Sequence, residues 1–205
     1  MRNCDIASKT IVAFDFDGTI TKKDTLIEFI KFSKGLTKLC LCFLIFTPLL
    51  IAMKLRLMPN EKVKQLVFQF LYKGISIDTF NQWCDEFCSV VDRIVYEKAV
   101  ETIKTHQNSG AEVIIVTASF ENWVRPWAEK QGIKTVIGTA FEVNKDGQIT
   151  GKFTTKNCYG KEKVNRMLEF YPNRNEYKLI AYGDSRGDKE LLNIADEKHY
   201  RKFNR

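Results

Sequence analysis

The sequence predicts an α/β fold, a doubly wound parallel sheet into which an all-helical segment is inserted. Short apolar runs of strand length alternate with amphipathic helices over most of the 205 residues, which indicates a parallel sheet covered by helices on both faces. After the first such run, about eighty residues show only helical spacing, which indicates a separate helical unit. A chain of this length has room for one core domain with a smaller insertion.

The first predicted strand, residues 11–14, runs directly into two carboxylates. Asp15 and Asp17 flank Phe16, which continues the apolar alternation, and Gly18 begins a turn. Two acids at the end of a buried strand cost free energy unless a cation neutralises them. The carboxyl edge of an open α/β sheet is also where ligands bind. A strand followed by an ordinary Asp-Gly turn would have the same short sequence pattern. Residues elsewhere in the chain are therefore needed to distinguish a functional site from a turn.

The helical insertion covers residues 21–107. Its first helix is expected to begin at Asp24-Thr25, because aspartate is a favoured N-cap residue. Helical spacing continues over residues 39–53, 63–71, 80–91 and 96–103. The predicted domains are therefore a core domain, residues 1–20 and 108–205, and a helical cap, residues 21–107.

Strands and helices alternate again after the insertion. The expected strands are residues 113–116, 135–137 and 178–182 with a terminal strand near Tyr200, a β-hairpin covers 141–153, and helices lie near 123–131, 164–171 and 191–192. Polar residues follow three of the strands: Asp15 and Asp17, Thr117 and Ser119, Asp184 and Asp188. Because neighbouring parallel strands end at the same edge, these groups are expected to converge there.

Four carboxylates at one edge would repel one another strongly without a cation. Hard oxygen ligands without histidine or cysteine favour Mg²⁺, and a Mg²⁺ site with open positions suits a phosphate ester. A fixed positive charge is also needed for the phosphate oxygens. Lys161, which opens the helix before the third long strand, is the candidate for this role.

Composition excludes some functions. The net charge of +7 favours anionic partners, but the 32 lysines and arginines are scattered and no nucleic-acid motif is present, so we expect no nucleic-acid binding. The N-terminus lacks the apolar run of a signal peptide, which favours a cytoplasmic location. The six cysteines, among them Cys4, contain no Cys-x-x-Cys pair and are expected to be reduced.

Four motifs occur in a fixed order: Asp15-Phe-Asp-Gly-Thr19, Thr117 after an apolar strand, Lys161, and Gly183-Asp184 with Asp188. This order resembles the haloacid dehalogenase superfamily of aspartate-dependent phosphotransferases, over essentially the whole chain. A helical insertion between the first two motifs is similar to the phosphoserine-phosphatase-like branch, subfamily IB. The resemblance implies a Rossmann-like core with a helical cap.

The resemblance also implies roles for the strand-end residues. Asp15 would be the nucleophile that forms an aspartyl-phosphate, and Asp17 would be the general acid and base. Thr117 and Lys161 would hold the phosphoryl oxygens. The metal ligands would be Asp15, the backbone carbonyl of Asp17, and Asp184.

Asp188 would orient a metal-bound water or Lys161. Several of these residues have a simpler interpretation as well. Thr117 could simply be a β-branched residue at the end of a strand. Lys161 could be a solvated lysine, with Lys156 and Lys163 nearby. Asp188 could be a helix N-cap.

Two positions in the substrate region depart from the phosphoserine phosphatases. Asp24 stands where those enzymes have a substrate-contacting glutamate, and it could equally cap a helix. Ser119 lies in Thr-Ala-Ser-Phe, where those enzymes favour Ser-Gly-Gly-Phe. Both residues are candidates for substrate binding, although the changes argue against phosphoserine itself.

Residues 39–53 form an uncharged run between Lys38 and Lys54, with Arg56 following. At 15 residues it is shorter than the ~20 needed to cross a bilayer, and Pro48 would kink it. It could be a buried cap helix. Alternatively, residues 39–56 could contact a membrane or a lipid substrate, with the basic residues at the headgroups. This apolar stretch resembles the caps of the phosphatidylglycerophosphate phosphatases.

The predicted function is a Mg²⁺-dependent phosphomonoester hydrolase acting on a small or amphiphilic phosphate ester, such as a phosphoserine-like metabolite. The alternatives are a lipid phosphate phosphatase at a membrane surface, a phosphotransferase to an alcohol acceptor, and a non-enzymatic membrane-binding module. The oligomeric state is left open.

Overall fold

The computed structural model describes residues 9–55 and 57–203, so Cys4 and Arg56 lie outside the described residues. In chain order the regular elements are β1 (Lys9–Phe14), α1 (Thr25–Lys54), α2 (Asn60–Tyr72), α3 (Ile77–Ile94), α4 (Glu97–Asn108), β2 (Glu112–Phe120), α5 (Glu121–Lys130), β3 (Thr135–Thr139), β4 (Phe141–Val143), β5 (Ile149–Phe153), α6 (Lys161–Phe170), β6 (Tyr177–Gly183), α7 (Lys189–Ile194) and β7 (Glu197–Tyr200). The predicted alternation of strands and helices around a helical insertion is confirmed.

The central sheet has five parallel strands in the order β3-β2-β1-β6-β7. The chain builds outward from β1 on one side through β2 and β3, and then returns to the other side of β1 with β6 and β7. The strand order therefore reverses between β1 and β6. In open α/β sheets, ligands bind in the crevice outside the strand ends at such a switch point.

Side chains of β1 alternate between two apolar layers, which is why the strand is buried on both faces. Val12 and Phe14 belong to the layer that also contains the side chains of α1, α3 and α5. Ile11 and Ala13 belong to the opposite layer, with Met167 of α6. These four side chains are fully buried, so this part of β1 requires a continuous apolar sequence.

The helices of the cap pack around Phe29 of α1. Its ring lies 5.1–5.3 Å from Phe80 and Phe87 of α3 and 4.8 Å from Trp123 of α5, measured between ring centroids. Trp123 belongs to the core domain, so one apolar layer runs from the cap into the core. Gly35, with φ 79° and ψ 167°, interrupts α1 and separates a first helical segment from a second one.

The boundary between cap and core differs from the predicted one at residue 107. Helix α4 packs against β2 and forms the crossover from the cap to the second strand, so it belongs structurally with the core. Conversely, the hairpin β4–β5 contacts α2. The backbone N–H of Ile149 donates to the carbonyl of Ile75, and that of Gly74 donates to the carbonyl of Ile149. These bonds attach the cap to the core away from the sheet.

The second segment of α1 contains the predicted apolar run, and only one side of it is buried. Leu39, Cys42 and Phe46, at helical spacing, are buried. Most of the other apolar side chains of the run are exposed, with 76% of Leu44 and 54% of Ile51 accessible. The interpretation as a buried cap helix therefore holds for one face of this segment only. Among the described residues, the cap has no further helix that covers the opposite face.

Asp24 caps α1, and its removal should lower stability. The Asp24 Oδ1 accepts hydrogen bonds from the backbone N–H groups of Leu26 at 2.9 Å and Ile27 at 3.3 Å. Asp24→Ala should reduce the free energy of unfolding by about 1 kcal/mol, as measured by urea denaturation. Asp24→Asn keeps the accepting oxygen and should remain close to the original stability. Equal losses in the two variants would contradict the capping role.

Candidate active site

The acid-bearing loop after β1 lies at the centre of the sheet edge, between the ends of β2 and β6. The backbone N–H of Asp15 donates to the carbonyl of Tyr182 at 3.0 Å, which extends the β1–β6 ladder by one residue. The Asp15 side chain is only 5% exposed. Its Oδ2 accepts a hydrogen bond from the Thr19 hydroxyl at 3.2 Å.

A buried lysine joins two of the predicted carboxylates. The Nζ of Lys163 lies 2.5 Å from Oδ1 of Asp15 and 2.5 Å from Oδ1 of Asp188, and all three side chains are almost completely buried. Burial lowers the pKa of Lys163, but the Asp15 and Asp188 carboxylates outweigh it, so its pKa lies above the usual value. The lysine is therefore held as a cation at the base of the site.

The pKa of Asp15 is raised to about 8, chiefly by burial and also by the nearby Asp188 and Asp17 carboxylates, which together outweigh the opposing effect of Lys163. Burial also raises the pKa of Asp188, but Lys163 and the hydrogen bonds from Ser185 leave it below its usual range. One lysine thus does not neutralise the whole acidic group, and further positive charge would stabilise the ionised form of Asp15.

The structure corrects the predicted phosphate-binding lysine. Lys161 is the first residue of α6 and its side chain is exposed, whereas Lys163 points into the site. Helical spacing could not separate the two, because Lys161 lies three residues before Val164 and Lys163 lies four before Met167. Met167 is the fully buried member of this helix face, and Lys163 lies one turn before it, toward the sheet edge.

Asp17 is held between the cap and β2. Its Oδ1 accepts hydrogen bonds from both the backbone N–H and the hydroxyl of Thr25, each at 2.6 Å, and its Oδ2 accepts one from the Ser119 hydroxyl at 2.5 Å. Trp123 Nε1 lies 3.2 Å from the Thr25 hydroxyl oxygen and donates to it. Burial, followed by the nearby Asp24 carboxylate, raises the pKa of Asp17. A half-buried carboxyl group with a raised pKa is suited to proton transfer.

Thr117 and Ser119 lie inside β2, which continues to Phe120, whereas the sequence predicted a strand that ends at residue 116. Thr117 is fully buried, and its hydroxyl oxygen accepts a hydrogen bond from the backbone N–H of Ser119 at 3.0 Å. Ser119 is 4% exposed and contacts Asp17 through its hydroxyl. The Ser119 side chain is thus used to orient the carboxylate.

Asp184 and Asp188, after β6, have different surroundings. Both oxygens of Asp188 are engaged, Oδ1 by Lys163 and Oδ2 by the backbone N–H groups of Asp184 and Ser185 and the Ser185 hydroxyl. The Asp188 side chain makes no capping bond to α7, so its interpretation as that helix's N-cap is not supported. Asp188 is instead a positioning residue for Lys163.

The Oδ1 of Asp184 is buried and has no hydrogen-bond partner among the described residues. Oxygens of Asp15, Asp184 and Asp188 lie within 4.8 Å of one another. Gly18, at φ 79°, leaves the space that Asp184 uses, because a Cβ atom there would overlap the Asp184 carboxylate. An orphaned carboxylate oxygen in a cluster of hard oxygen donors fits a divalent cation of the Mg²⁺ type.

Two further residues at the site, Lys64 and Asn157, could not be recognised from the sequence. Lys64 of α2 donates to the carbonyl of Ala118 and to Oδ1 of Asn157, the latter at 3.1 Å. Burial lowers the pKa of Lys64 to about 8, although Asp17 and Asp24 act in the opposite direction. Neither residue belongs to a motif. The docking of α2 on the core brings Lys64 to Asn157, which lies between β5 and α6.

A cavity of about 410 Å³ opens beside Asp17 and extends into the cap. One end is polar, with Asp17, Ser119, Lys64 and Asn157, and the remaining wall is formed mainly by apolar side chains of α1 and α2. The volume lies within the range of about 300–1,000 Å³ that is usual for small-molecule sites.

Comparison with known sequences identifies relatives that match most of the chain or about half of it. A family model described as haloacid dehalogenase-like hydrolase matches residues 12–193. Protein CicA of Caulobacter vibrioides is 37% identical over 194 residues, which cover 94% of this chain and 86% of that protein. The histidinol-phosphatase of Neisseria meningitidis is 28% identical over 100 residues, 46% of this chain and 45% of that protein.

Solved structures share the fold. A Bordetella pertussis protein of unknown function superposes with a TM-score of 0.81 at 20% identity, over 93% of this chain and 89% of its own. A phospho-aspartyl intermediate analogue of phosphoserine phosphatase has a TM-score of 0.63 at 23% identity, over 93% and 85% of the two chains. With a family model that spans most of its length, this chain belongs to the haloacid dehalogenase-like hydrolases and has the fold of their phosphoserine-phosphatase-like branch.

Proposed function

We propose that this protein is a Mg²⁺-dependent phosphomonoester hydrolase that forms an aspartyl-phosphate on Asp15. The observation that supports this most directly is the position of Asp15, buried at the switch point of the sheet between the cation Lys163 and the unpartnered carboxylate oxygen of Asp184. With Lys163 on one side and a divalent cation held by Asp184 on the other, the Asp15 carboxylate would be protected from protonation and could attack an electrophilic phosphorus.

Mg²⁺ would be held by the carboxylates of Asp15 and Asp184 and the backbone carbonyl of Asp17. When bound, the ion neutralises the acidic cluster and polarises a phosphoryl oxygen. The donor set supports this assignment, since it contains oxygen atoms of the kind that Mg²⁺ prefers and one of them lacks any other partner.

In the first step, a carboxylate oxygen of Asp15 bonds to phosphorus while the bond from phosphorus to the ester oxygen breaks. Asp17 in its protonated form gives its proton to that ester oxygen, which leaves as an alcohol. The raised pKa of Asp17 and its fixed orientation between Thr25 and Ser119 support this role.

In the second step, Asp17 removes a proton from a water molecule whose oxygen bonds to phosphorus. The bond between Asp15 and phosphorus breaks, inorganic phosphate leaves, and Asp15 is restored as a carboxylate. Lys163 and the hydroxyl of Thr117 would hold the phosphoryl oxygens as charge redistributes in both steps. Because the Thr117 oxygen already accepts from Ser119, its own hydrogen is available to donate.

The names of relatives agree with this reaction class. The Neisseria meningitidis relative is named a histidinol-phosphatase, and a structural neighbour is named a phosphoserine phosphatase. We propose a small or amphiphilic phosphate ester as the substrate. Asp24, which the resemblance offered for substrate contact, uses Oδ1 to cap α1.

A second candidate, hydrolysis of a lipid phosphate at a membrane surface, is favoured by the second segment of α1. By length and composition α1 could cross a membrane, with a mean hydropathy of 2.2 in its most apolar window, of which 11% is buried. Since Leu39, Cys42 and Phe46 pack within the cap, we propose that the exposed face lies on a bilayer instead, with Lys38 and Lys54 at the headgroups.

We also propose that the protein works in the cytoplasm. All five cysteines of the described residues are free, as expected in a reducing compartment. The cytoplasmic leaflet carries anionic lipids, which complement the net charge of +7.

Asp15→Asn should lower the kcat for hydrolysis of para-nitrophenyl phosphate with Mg²⁺ by about a thousandfold or more, because the amide is a poor nucleophile. Circular dichroism should show that the variant is folded, and Asp146→Asn, in the exposed turn between β4 and β5, is the matched control. Removal of divalent ions with a chelator should abolish the activity of the unmodified protein, and added Mg²⁺ should restore it. Substantial turnover by Asp15→Asn would refute the mechanism.

Lys163→Met should lower kcat by about a hundredfold or more, since it removes the cation that faces the phosphoryl group. It also leaves two buried carboxylates unpaired and should reduce the melting temperature. Lys161 is exposed and lies two residues away. Lys161→Met should change kcat by no more than about twofold and the melting temperature by no more than about one degree. If Lys161→Met were the damaging variant, the assignment of the lysine would be wrong.

The purified protein should sediment with vesicles that contain phosphatidylglycerol, and binding should weaken as salt is raised. The variant with Leu44→Glu and Ile51→Glu should lose this binding, because it places charge on the exposed apolar face. Phe170→Glu, at another exposed apolar residue on α6, should bind normally. Equal binding by all three proteins would exclude contact through α1.

A further inference from the structure

We infer that the cavity in the cap is a subsite for an aliphatic chain on the leaving group, so that the substrate is a phosphomonoester of a chain-bearing alcohol. This inference rests on the proposed function and names the substrate class of the same site. It is independent of membrane contact, because the cavity lies on the side of α1 that faces α2 and is not lined by Leu44 or Ile51 on the exposed face.

The position of the cavity relative to Asp17 indicates which part of a substrate it receives. Asp17 lines the cavity, and Asp17 is the residue that delivers a proton to the leaving oxygen. Asp15 and Lys163, which face the phosphoryl group, do not line it. The cavity therefore begins at the ester oxygen and continues on the side of the alcohol.

The chemistry of the wall changes along the cavity. Ser119 and Asn157 lie beside Asp17, and Lys64 is the one cation among the described lining residues. Polar atoms close to the ester oxygen can thus be hydrogen-bonded. Farther from the core, α1 and α2 contribute Ile30, Leu39, Cys42, Phe46, Leu50 and Val63. Asp24 and Asn60 also line the cavity, but these six apolar side chains offer no partner for a charged group and favour methylene groups.

A cavity of this size is not expected from imperfect packing. Protein interiors are packed about as densely as organic crystals, with few voids larger than a water molecule, and an unfilled apolar void destabilises the fold. Here about 410 Å³ is left beside Asp17, bounded largely by α1 and α2, although Phe46 and Phe70 of these helices meet edge to face with 5.6 Å between ring centroids. A space of this size beside the reaction centre is what a ligand site requires.

The test is a series of soluble n-alkyl phosphates from ethyl to octyl, used as monomers without vesicles. Each methylene buried in the cavity should raise kcat/KM by up to about fourfold, from a transfer free energy of ~0.8 kcal/mol. The increase should stop once the cavity is filled. We expect kcat/KM for octyl phosphate to exceed that for ethyl phosphate at least about fiftyfold.

Cavity-filling variants test the location of the chain. Cys42→Trp should reduce the ratio of kcat/KM for octyl to ethyl phosphate by about tenfold or more. Leu50 is half-buried, so a larger side chain is more easily accommodated there. Leu50→Trp should reduce the ratio in the same way, and it replaces Cys42→Trp in the test if that variant does not fold. Leu44→Trp places the same side chain on the exposed face of α1 and should leave the ratio unchanged.

The outcomes separate this inference from the proposed function. Hydrolysis of ethyl phosphate with a ratio below about threefold would overturn the chain subsite and leave the phosphatase assignment in place. A ratio that falls equally in Leu44→Trp would also overturn it, because the chain would then lie on the outer face. If none of the esters were hydrolysed in the presence of Mg²⁺, the proposed function would fail as well.

Discussion

The buried contact of Lys163 with Asp15 and Asp188 is the interaction on which the rest of the site depends. Charges removed from water cost several kcal/mol each unless their partners are close and correctly oriented. Here one ammonium group contacts two carboxylates at 2.5 Å, and Asp188 is itself fixed by hydrogen bonds from the loop after β6. The position of Asp15 is thereby determined by β1, α6 and β6 together.

In the proposed mechanism, the cap takes part in the chemistry as well as in recognition. Thr25 at the beginning of α1 donates two hydrogen bonds to Asp17, so the orientation of a core carboxylate depends on a cap helix. Lys64 of α2 reaches the end of β2 in the same way. Phe29 and Trp123 stack across the boundary at 4.8 Å and keep the two domains in register. A movement of the cap would therefore change both the substrate cavity and the proton-transfer group.

The second segment of α1 has two faces with different surroundings. Its buried side lines the cavity beside Asp17, and its opposite side is exposed. A helix that separates an apolar cavity from an apolar outer surface is suited to an enzyme whose substrate has a polar phosphate and an apolar chain. The proposed membrane contact and the proposed chain subsite use these two faces separately, which is why separate variants can test them.

The sequence by itself determined the α/β fold, the helical insertion and the carboxylates at the sheet edge, because apolar periodicity and short motifs are local properties of the chain. It also singled out Thr117 and Ser119 near the end of a predicted strand, and the structure places the Ser119 hydroxyl against Asp17. Only the tertiary structure decided between Lys161 and Lys163, because both positions fit the helical spacing and the choice depends on how α6 packs on the sheet. Lys64 and the cavity likewise arise from the docking of α2 onto the core, which no local pattern records.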